Sequence, residues 1–445
     1  MNLKKVLVNS FLYFPNWLNE FLLSLNKKPH LIYGKDYMLY KSFLEKNKLF
    51  LKKDTVVSLI NYAVKYVPFY EKYKKIQLVD EIEKMDFINK DIVAENFNKL
   101  QSLNIKKTNY DLVTTGGTTG KPLRMLLPKS RYIIEYATLH WIWGRIGYNY
   151  HTRAVITNHK LKSQQIYKVN PLKKEYIFDG FRNSDYYYQE IYNIIKRKKI
   201  KFIHAYPSNA YSFAKFMLNH KLDYSFIKGI ISSSENVLEH QKKLIEQTMG
   251  IDFLTFYGHS EKLVLAWYCK YCKCSHVENS YGYFELIDRN GQVIKEIGKV
   301  GEIVGTTLNN RGFPLIRYRT DDFAELVGYR CEHEKRDVLS IKNIRGRWTG
   351  SYIYDNKGLK TTPTALNFHD DLYLYIDGIQ YVQEKKGNLI VLIIKGELFS
   401  KSIELRLKNH FQKKMPNINF KIKYVRNLIK QKNGKFLDLI TKIND

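Results

Sequence analysis

Along the first third of the chain, apolar residues recur at three- and four-residue spacing, most clearly over Thr55 to Tyr73 and Lys129 to Trp143. That period gathers them on one face of a helix and predicts a mainly helical start. Past Ile200 the texture changes. Short apolar runs, Lys201 to Ala205 and Lys228 to Ser232, alternate with the helical stretches Ser208 to Asn219 and Leu238 to Met249. Such alternation predicts parallel strands joined by crossover helices. From Tyr281 to Glu325 strands dominate: Tyr283 to Asp288, a turn at Arg289-Asn290-Gly291, then Glu302 to Leu308 and Leu315 to Tyr318, expected as an antiparallel subdomain. Beyond Gly346, strands over Ile379 to Glu384, Leu389 to Lys395 and Phe420 to Val425 surround a helix over Phe399 to Lys414. A stretch of about a hundred residues with that pattern suffices for a small α+β domain. The expected class is α/β, with residues 1–346 as a large domain carrying the β-rich subdomain and 347–445 as a small C-terminal domain.

Composition narrows this. The chain has 445 residues, 44% of them hydrophobic, enough to bury at least one large core. Lys and Arg number 73 against 43 Asp and Glu, giving a net charge of +30. The basic residues are scattered, and the densest piece is the short run Lys196 to Lys199. They read as solvated surface that favours anionic partners such as nucleotides, phospholipid head groups or acidic glycans, with no nucleic-acid partner expected. Four cysteines in so long a chain cannot build a disulfide framework and point to a reducing compartment. The uncharged stretch Val6 to Asn19, with Phe11, Tyr13, Phe14 and Trp17, is too short to span a bilayer and is interrupted by Pro15. It reads either as an amphipathic element packed on the domain or as an interfacial helix making peripheral membrane contact. A cytoplasmic location is expected.

The most informative segment is Thr114-Thr115-Gly116-Gly117-Thr118-Thr119-Gly120-Lys121-Pro122. Glycines let backbone amides approach a phosphate, the threonines add hydroxyl donors, and the lysine adds charge. It is not a Walker A loop, because the glycine-to-lysine spacing is wrong and Pro122 stands where a Mg-binding hydroxyl belongs. In isolation, a plain surface turn accounts for it as well.

Further pieces follow in order: Tyr257-Gly258-His259-Ser260-Glu261-Lys262, Gly301 to Thr306, Pro314 to Asp322, Arg345-Gly346-Arg347, Thr364 to His369 and Asn433-Gly434-Lys435. Together they resemble the core motifs of the adenylate-forming (acyl-AMP) ligase superfamily. The closer resemblance is to phenylacetate-CoA ligase-like proteins, on the branch found in capsular and other surface-polysaccharide gene clusters. The resemblance implies a large domain and a small mobile C-terminal lid with the active site between them. It implies an ATP- and magnesium-dependent ligase in which a carboxylate attacks the α-phosphorus and pyrophosphate leaves. The acyl group then passes to coenzyme A or to an amine, such as an amino sugar of a surface polysaccharide, and a homodimer would be in keeping with the family.

By that resemblance Thr115, Gly116, Gly117, Thr118, Thr119, Gly120 and Lys121 hold the β- and γ-phosphates. Tyr257 and Gly258 lie against adenine, Glu261 helps hold magnesium, and Asp322, assisted by Arg347, accepts from the ribose hydroxyls. Lys435 enters with the small domain, between the carboxylate and the α-phosphate. Ser234 and Glu235 adjoin the nucleotide and acyl pocket by order alone, and His259 either lines that pocket or stands behind it. Each has a plainer reading: Tyr257 is one of 35 tyrosines, Glu261 a helix-start carboxylate, Asp322 a turn former, Lys435 a solvated lysine. The sequence also departs from the pattern. Trp348-Thr349-Gly350 replaces an acidic hinge, Asp321 replaces a small residue, and Phe436-Leu437 replaces a basic residue after the lysine. These departures keep a second reading open: a catalytically silent nucleotide-binding module of a membrane-associated polysaccharide assembly complex.

Cys269-x-x-Cys272-x-Cys274-x-His276 offers four ligands to a tetrahedral zinc, with Cys331 or His333 able to replace one of them. The alternative is a loop of reduced thiols beside the active site. Ser260 is no hydrolase nucleophile, because Lys262 occupies the closing glycine position of an elbow.

Overall fold

The computed structural model describes residues 14–26, 28–46, 53–114, 123–157, 159–182, 184–235, 237–345, 352–358, 360–361, 366, 368, 372, 375–430, 437 and 439–443. The expected helix over Thr55 to Tyr73 is present as Lys53–Tyr66 and stops early. Pro68 forces its predecessor Val67 into extended backbone (φ −117°, ψ 112°), so the chain continues only as a short 3₁₀ turn, Pro68–Tyr70. The helix Arg131–Trp143 forms as the periodicity predicts.

A 12-stranded sheet organises the large part. Its parallel half runs Asp252–Gly258, Gly229–Ser233, Phe202–Ala205, Arg153–Ile156 and Glu175–Phe178, each strand parallel to the next. The crossover helices Asp185–Arg197 and Pro207–Asn219 bury Tyr188, Ile191, Phe213 and Met217 in the cluster around these strands. The stretch Leu238 to Met249 is a single α turn, Glu239–Lys242, running into a π-helical turn, Lys243–Thr248. Beside the parallel half stand antiparallel strands: Leu265–Cys269, Cys274–Val277, Arg336–Arg345, Tyr318–Cys331, Val300–Thr307 and Gly282–Ile287. Leu315 to Arg317 is not a strand. Two of its amides go to side chains, Ile316 N donating to Tyr70 Oη (3.2 Å) and Arg317 N to Thr306 Oγ1 (2.8 Å).

The C-terminal part has its own four-stranded sheet: Asn419–Tyr424, Asn388–Lys395, Ile376–Lys385 and Leu439–Thr441. The helix Lys401–Lys414, capped by Ser400, lays Ile403, Leu407 and Phe411 on it. That core runs from Ile353 to Leu439 and takes no residue from the large part. The junction residues 346–351 lie outside the described residues.

Of the aromatic N-terminal stretch, only the part from Phe14 is described. The helix Asn16–Leu25 is tied to the sheet edge by Asn16 Nδ2 donating to Tyr167 O (3.0 Å) and by the Lys198–Glu20 pair (2.8 Å). Trp17, Phe21 and Leu25, spaced four apart, face solvent. No helix among the described residues is long and apolar enough to cross a membrane.

Candidate active site

The carboxyl ends of the five parallel strands form one edge, the usual place for ligands in open α/β sheets. Strand Asp252–Gly258 delivers Tyr257 and Gly258 to it. The Tyr257 hydroxyl donates to Asp322 Oδ2 at 2.6 Å. Asp322 comes from the start of the strand Tyr318–Cys331, just after Asp321, whose φ of +58° lies in the left-handed region that Asp tolerates. Thr320 fixes that bend: its hydroxyl accepts from Asp322 N (3.1 Å) and donates to Ile303 O (2.7 Å). Asp321 is thereby turned outward, its side chain exposed and its N–H on Glu302 (3.2 Å). Burial pushes the Tyr257 phenol well above its ordinary value, and the Asp322 carboxylate raises it further. Tyr257 is therefore a permanent donor that orients Asp322.

Glu261 and His259 sit in the turn before the strand Leu265–Cys269, with side chains only 9% and 12% exposed. His259 Nδ1 lies 3.2 Å from Glu261 Oε2, close enough for an ion pair but not aligned as a hydrogen bond. A small cleft at Glu261 is lined also by Arg131, Lys262, Tyr281, Thr307 and Asn310. Arg131 bonds Asp111 (3.2 Å), on the strand Tyr110–Thr114, whose antiparallel partner is Arg124–Pro128. Thr115 to Pro122 connects these two strands and itself lies outside the described residues, as do Arg347 and Lys435.

Ser234 has a φ of +73°, and Glu235 beside it accepts from Ser208 N (3.0 Å) and Ser208 Oγ (3.1 Å). Its carboxylate thus complements the positive N-terminus of the helix Pro207–Asn219. The structure assembles Tyr257, Asp322, Glu261 and His259 in one region of the sheet and gives Glu235 a helix-capping partner.

Three features were not legible in the sequence. Lys430 Nζ donates to Gly180 O and Asn209 Oδ1, both at 2.9 Å, reaching from the C-terminal part to the carboxyl edge. Desolvation there lowers its pKa, opposed by Glu235 and Asp179. Gly180 itself packs against the backbone of Thr157, since a Cβ there would stand 1.6 Å from Thr157 O. Gln380, fully buried, accepts from Ile429 N (2.9 Å) and donates to Leu437 O (2.7 Å). Local sequence carries no signal for these, because the partners are far apart along the chain.

The cysteines lie elsewhere. Cys269, Cys272, His276 and Cys331 come together at the opposite end of these antiparallel strands, with Cys331 in the position that sequence spacing had given to Cys274. Cys331 is nine positions along the strand from Asp322, up to about 30 Å at ordinary strand rise, so the cluster is not beside the candidate site.

No family model matches the sequence. The chain is similar to protein CapK of Staphylococcus aureus, 24% identical over 427 residues covering 90% of each chain. It is 31% identical to phenylacetate-coenzyme A ligase of Pseudomonas putida over 176 residues, 38% of each chain. The structure matches 2-hydroxyisobutyryl-CoA ligase in its postadenylation state with a TM-score of 0.68 at 14% identity, covering 88% of this chain and 90% of that one. An open conformation of the same enzyme, at 14% identity and covering 87% of this chain and 90% of that one, gives 0.51. The fold is that of the adenylate-forming ligases. In sequence the chain is similar to CapK along most of its length and to a phenylacetate-coenzyme A ligase over little more than a third of it.

Proposed function

We propose that this protein is an ATP-dependent acid ligase. A carboxylate oxygen attacks the α-phosphorus of ATP, the bond from α-phosphorus to the bridging oxygen breaks, and pyrophosphate departs with the electron pair. The acyl-adenylate then reacts with the thiol of coenzyme A or with an amine. The carbonyl–phosphate bond breaks, AMP leaves, and the thiol or ammonium proton goes to solvent. The observation that carries this reading is the Tyr257–Asp322 pair at the carboxyl edge, beside Glu261. Relatives of the chain include coenzyme A ligases, and an amino sugar of a surface polysaccharide is the amine we favour.

Asp322, oriented by Tyr257, accepts from the ribose hydroxyls, with Arg347 assisting. Tyr257 and Gly258 flank the adenine, and Ser234 and Glu235 shape the neighbouring wall. Thr115 to Lys121 hold the departing phosphates, and Lys435 neutralises the charges that meet at the α-phosphorus. Glu261 and the phosphate oxygens suit a hard divalent cation, and magnesium there would neutralise the pyrophosphate leaving group. Catalysis is then chiefly positioning and charge stabilisation. The natural setting is the cytoplasm, where ATP and coenzyme A are at hand.

We place the division at residues 346/347, with 347–445 as a lid. Two lysines support a docked lid: Lys430 as above, and Lys215, which donates to Ile376 O (2.8 Å) and pairs with Asp377. The better match to the postadenylation state agrees. Charged hydrogen bonds of this kind contribute roughly 1.5–3 kcal/mol. Lys430→Ala is therefore expected to slow acid-dependent pyrophosphate release roughly tenfold or more. Acyl transfer from a supplied acyl-adenylate should be nearly unchanged, because that step does not need this docked arrangement. Equal losses in both half-reactions would remove Lys430 from the docking role. Release of pyrophosphate in the presence of an acid panel tests the ligase reading itself.

One observation favours a membrane-associated setting: the outward row Trp17, Phe21 and Leu25 on a protein of charge +30. Sedimentation with anionic vesicles, abolished by Trp17→Ser with Phe21→Ser, is expected. Sedimentation unchanged in that variant would discard this face.

A further inference from the structure

We propose that Cys269, Cys272, His276 and Cys331 bind one structural zinc ion that staples the hairpin Leu265–Val277 to the end of the strand Tyr318–Cys331. Four potential ligand atoms, three sulfurs and one imidazole nitrogen, lie within 4.8 Å of one another. They come from three places: the end of the strand Leu265–Cys269, the hairpin tip with its following strand Cys274–Val277, and the last residue of Tyr318–Cys331. Cys269, His276 and Cys331 are buried and Cys272 is exposed at the tip, so the site is closed on three sides with an entry path.

The distances suit a tetrahedral ion. Cys272 Sγ is 3.5 Å from His276 Nε2. Zinc bonds of about 2.3 Å to sulfur and 2.0 Å to nitrogen, set at tetrahedral angles, put two such ligands about 3.5 Å apart. His276 is also presented correctly. Its Nδ1 lies 2.9 Å from Ser340 Oγ, and Ser340 Oγ in turn reaches Val338 O (3.3 Å) as a donor. With Nδ1–H donated to Ser340, Nε2 faces the sulfurs with a lone pair, the outer-shell arrangement metal-bound histidines use.

Three thiolates and a divalent ion leave one net negative charge. Two guanidiniums that share the single carboxylate Glu334 leave a positive charge to offset it: Arg336 and Arg145 both act electrostatically on His276. They are held by Trp141 and Trp267, Arg145 at 3.9 Å from each ring. A donor set of three sulfurs and one nitrogen in tetrahedral disposition selects zinc over magnesium or calcium.

The two competing ligands are otherwise placed. Cys274 Sγ touches Cys272 Sγ at 2.9 Å but falls outside the mutual set. The His333 ring stacks on Tyr271, with centroids 3.5 Å apart. The location explains why a staple is useful. Among the described residues the hairpin's backbone pairs with the strand Arg336–Arg345 at Ser275↔Ile341 and His276↔Ser340, a narrow seam between the two halves of the large sheet.

Protein purified under reducing conditions without added metal is expected to contain about one zinc per chain by plasma mass spectrometry. Cys331→Ser should lose it and Cys274→Ser should keep it. If Cys331→Ser does not fold, cobalt exchange into the full chain carries the test. The wild type and Cys274→Ser should show thiolate-to-cobalt charge-transfer bands and the strong visible bands of tetrahedral cobalt. Cys272→Ser should lose about a third of the charge-transfer intensity, as one of three thiolates is gone. A reduced protein with neither zinc nor cobalt uptake would overturn the proposal. So would a Cys272–Cys274 disulfide in the protein as purified, or metal lost in Cys274→Ser and kept in Cys331→Ser.

Discussion

Lys435→Ala is expected to slow acid-dependent pyrophosphate release by on the order of 10²–10³-fold while leaving the melting temperature within a degree or two of the parent. The chemistry requires it. A carboxylate must approach a triphosphate that is itself anionic, and a single ammonium in a water-poor site offsets that repulsion at the transition state. The chain's geometry makes the approach feasible. Lys430 is anchored at the carboxyl edge by Gly180 and Asn209. Lys435 follows Lys430 by five residues in the sequence, a chain length of at most about 18 Å. Gln380 binds both Ile429 and Leu437, which stand on either side of Lys435 in the sequence. Because Lys435 contributes to the activation step alone, acyl transfer from a supplied acyl-adenylate should survive the substitution. Loss of both half-reactions with an unchanged fold would assign Lys435 to nucleotide binding.

Glu261→Gln should lower the rate of adenylate formation by about 10²-fold and raise the magnesium concentration for half-activity by about tenfold. The amide has the same shape as the carboxylate and can keep the turn before Leu265–Cys269, so the change isolates the charge. A mostly buried carboxylate, 9% exposed and 3.2 Å from the His259 ring, is costly to hold unless its charge has use. Magnesium titration separates the two explanations for it. Partial rescue at high magnesium supports a cation-holding oxygen, whereas an unshifted titration with a lower melting temperature would make Glu261 a turn anchor only.

The parallel strands around Phe202 and Gly229 were readable because they are short apolar runs bounded by turns, and the C-terminal part because its elements alternate cleanly. Other strands were hidden by their chemistry. Arg153–Ile156 and Glu175–Phe178 each begin with a charged residue, and only in the fold do Arg153 and Glu175 neutralise one another in the interior. The helix after Lys53 was read too long because its apolar period continues past Pro68, where the backbone cannot follow. Leu315 to Arg317 looks like a strand by composition, yet its amides are claimed by Tyr70 and Thr306.

At the candidate site, Tyr257, Glu261 and Asp322 belong to contiguous motifs and were legible. Lys430, Gly180, Asn209 and Gln380 were not, since Lys430 finds its acceptors 250 and 221 positions away. Cys331 was named from the sequence as a replacement for one member of the cysteine cluster, and the fold brings it, in place of Cys274, beside Cys269, Cys272 and His276.

Pyrophosphate release from the purified full chain tests the ligase account most directly, measured with ATP, magnesium and a panel of aromatic, aliphatic and amino acids, with and without coenzyme A. The account predicts release that depends on one class of acid, disappears in Lys435→Ala, and is accompanied by an acyl-adenylate or by its thioester when coenzyme A is present. A protein that binds ATP and releases no pyrophosphate with any acid in the panel would contradict it and favour the silent nucleotide-binding module.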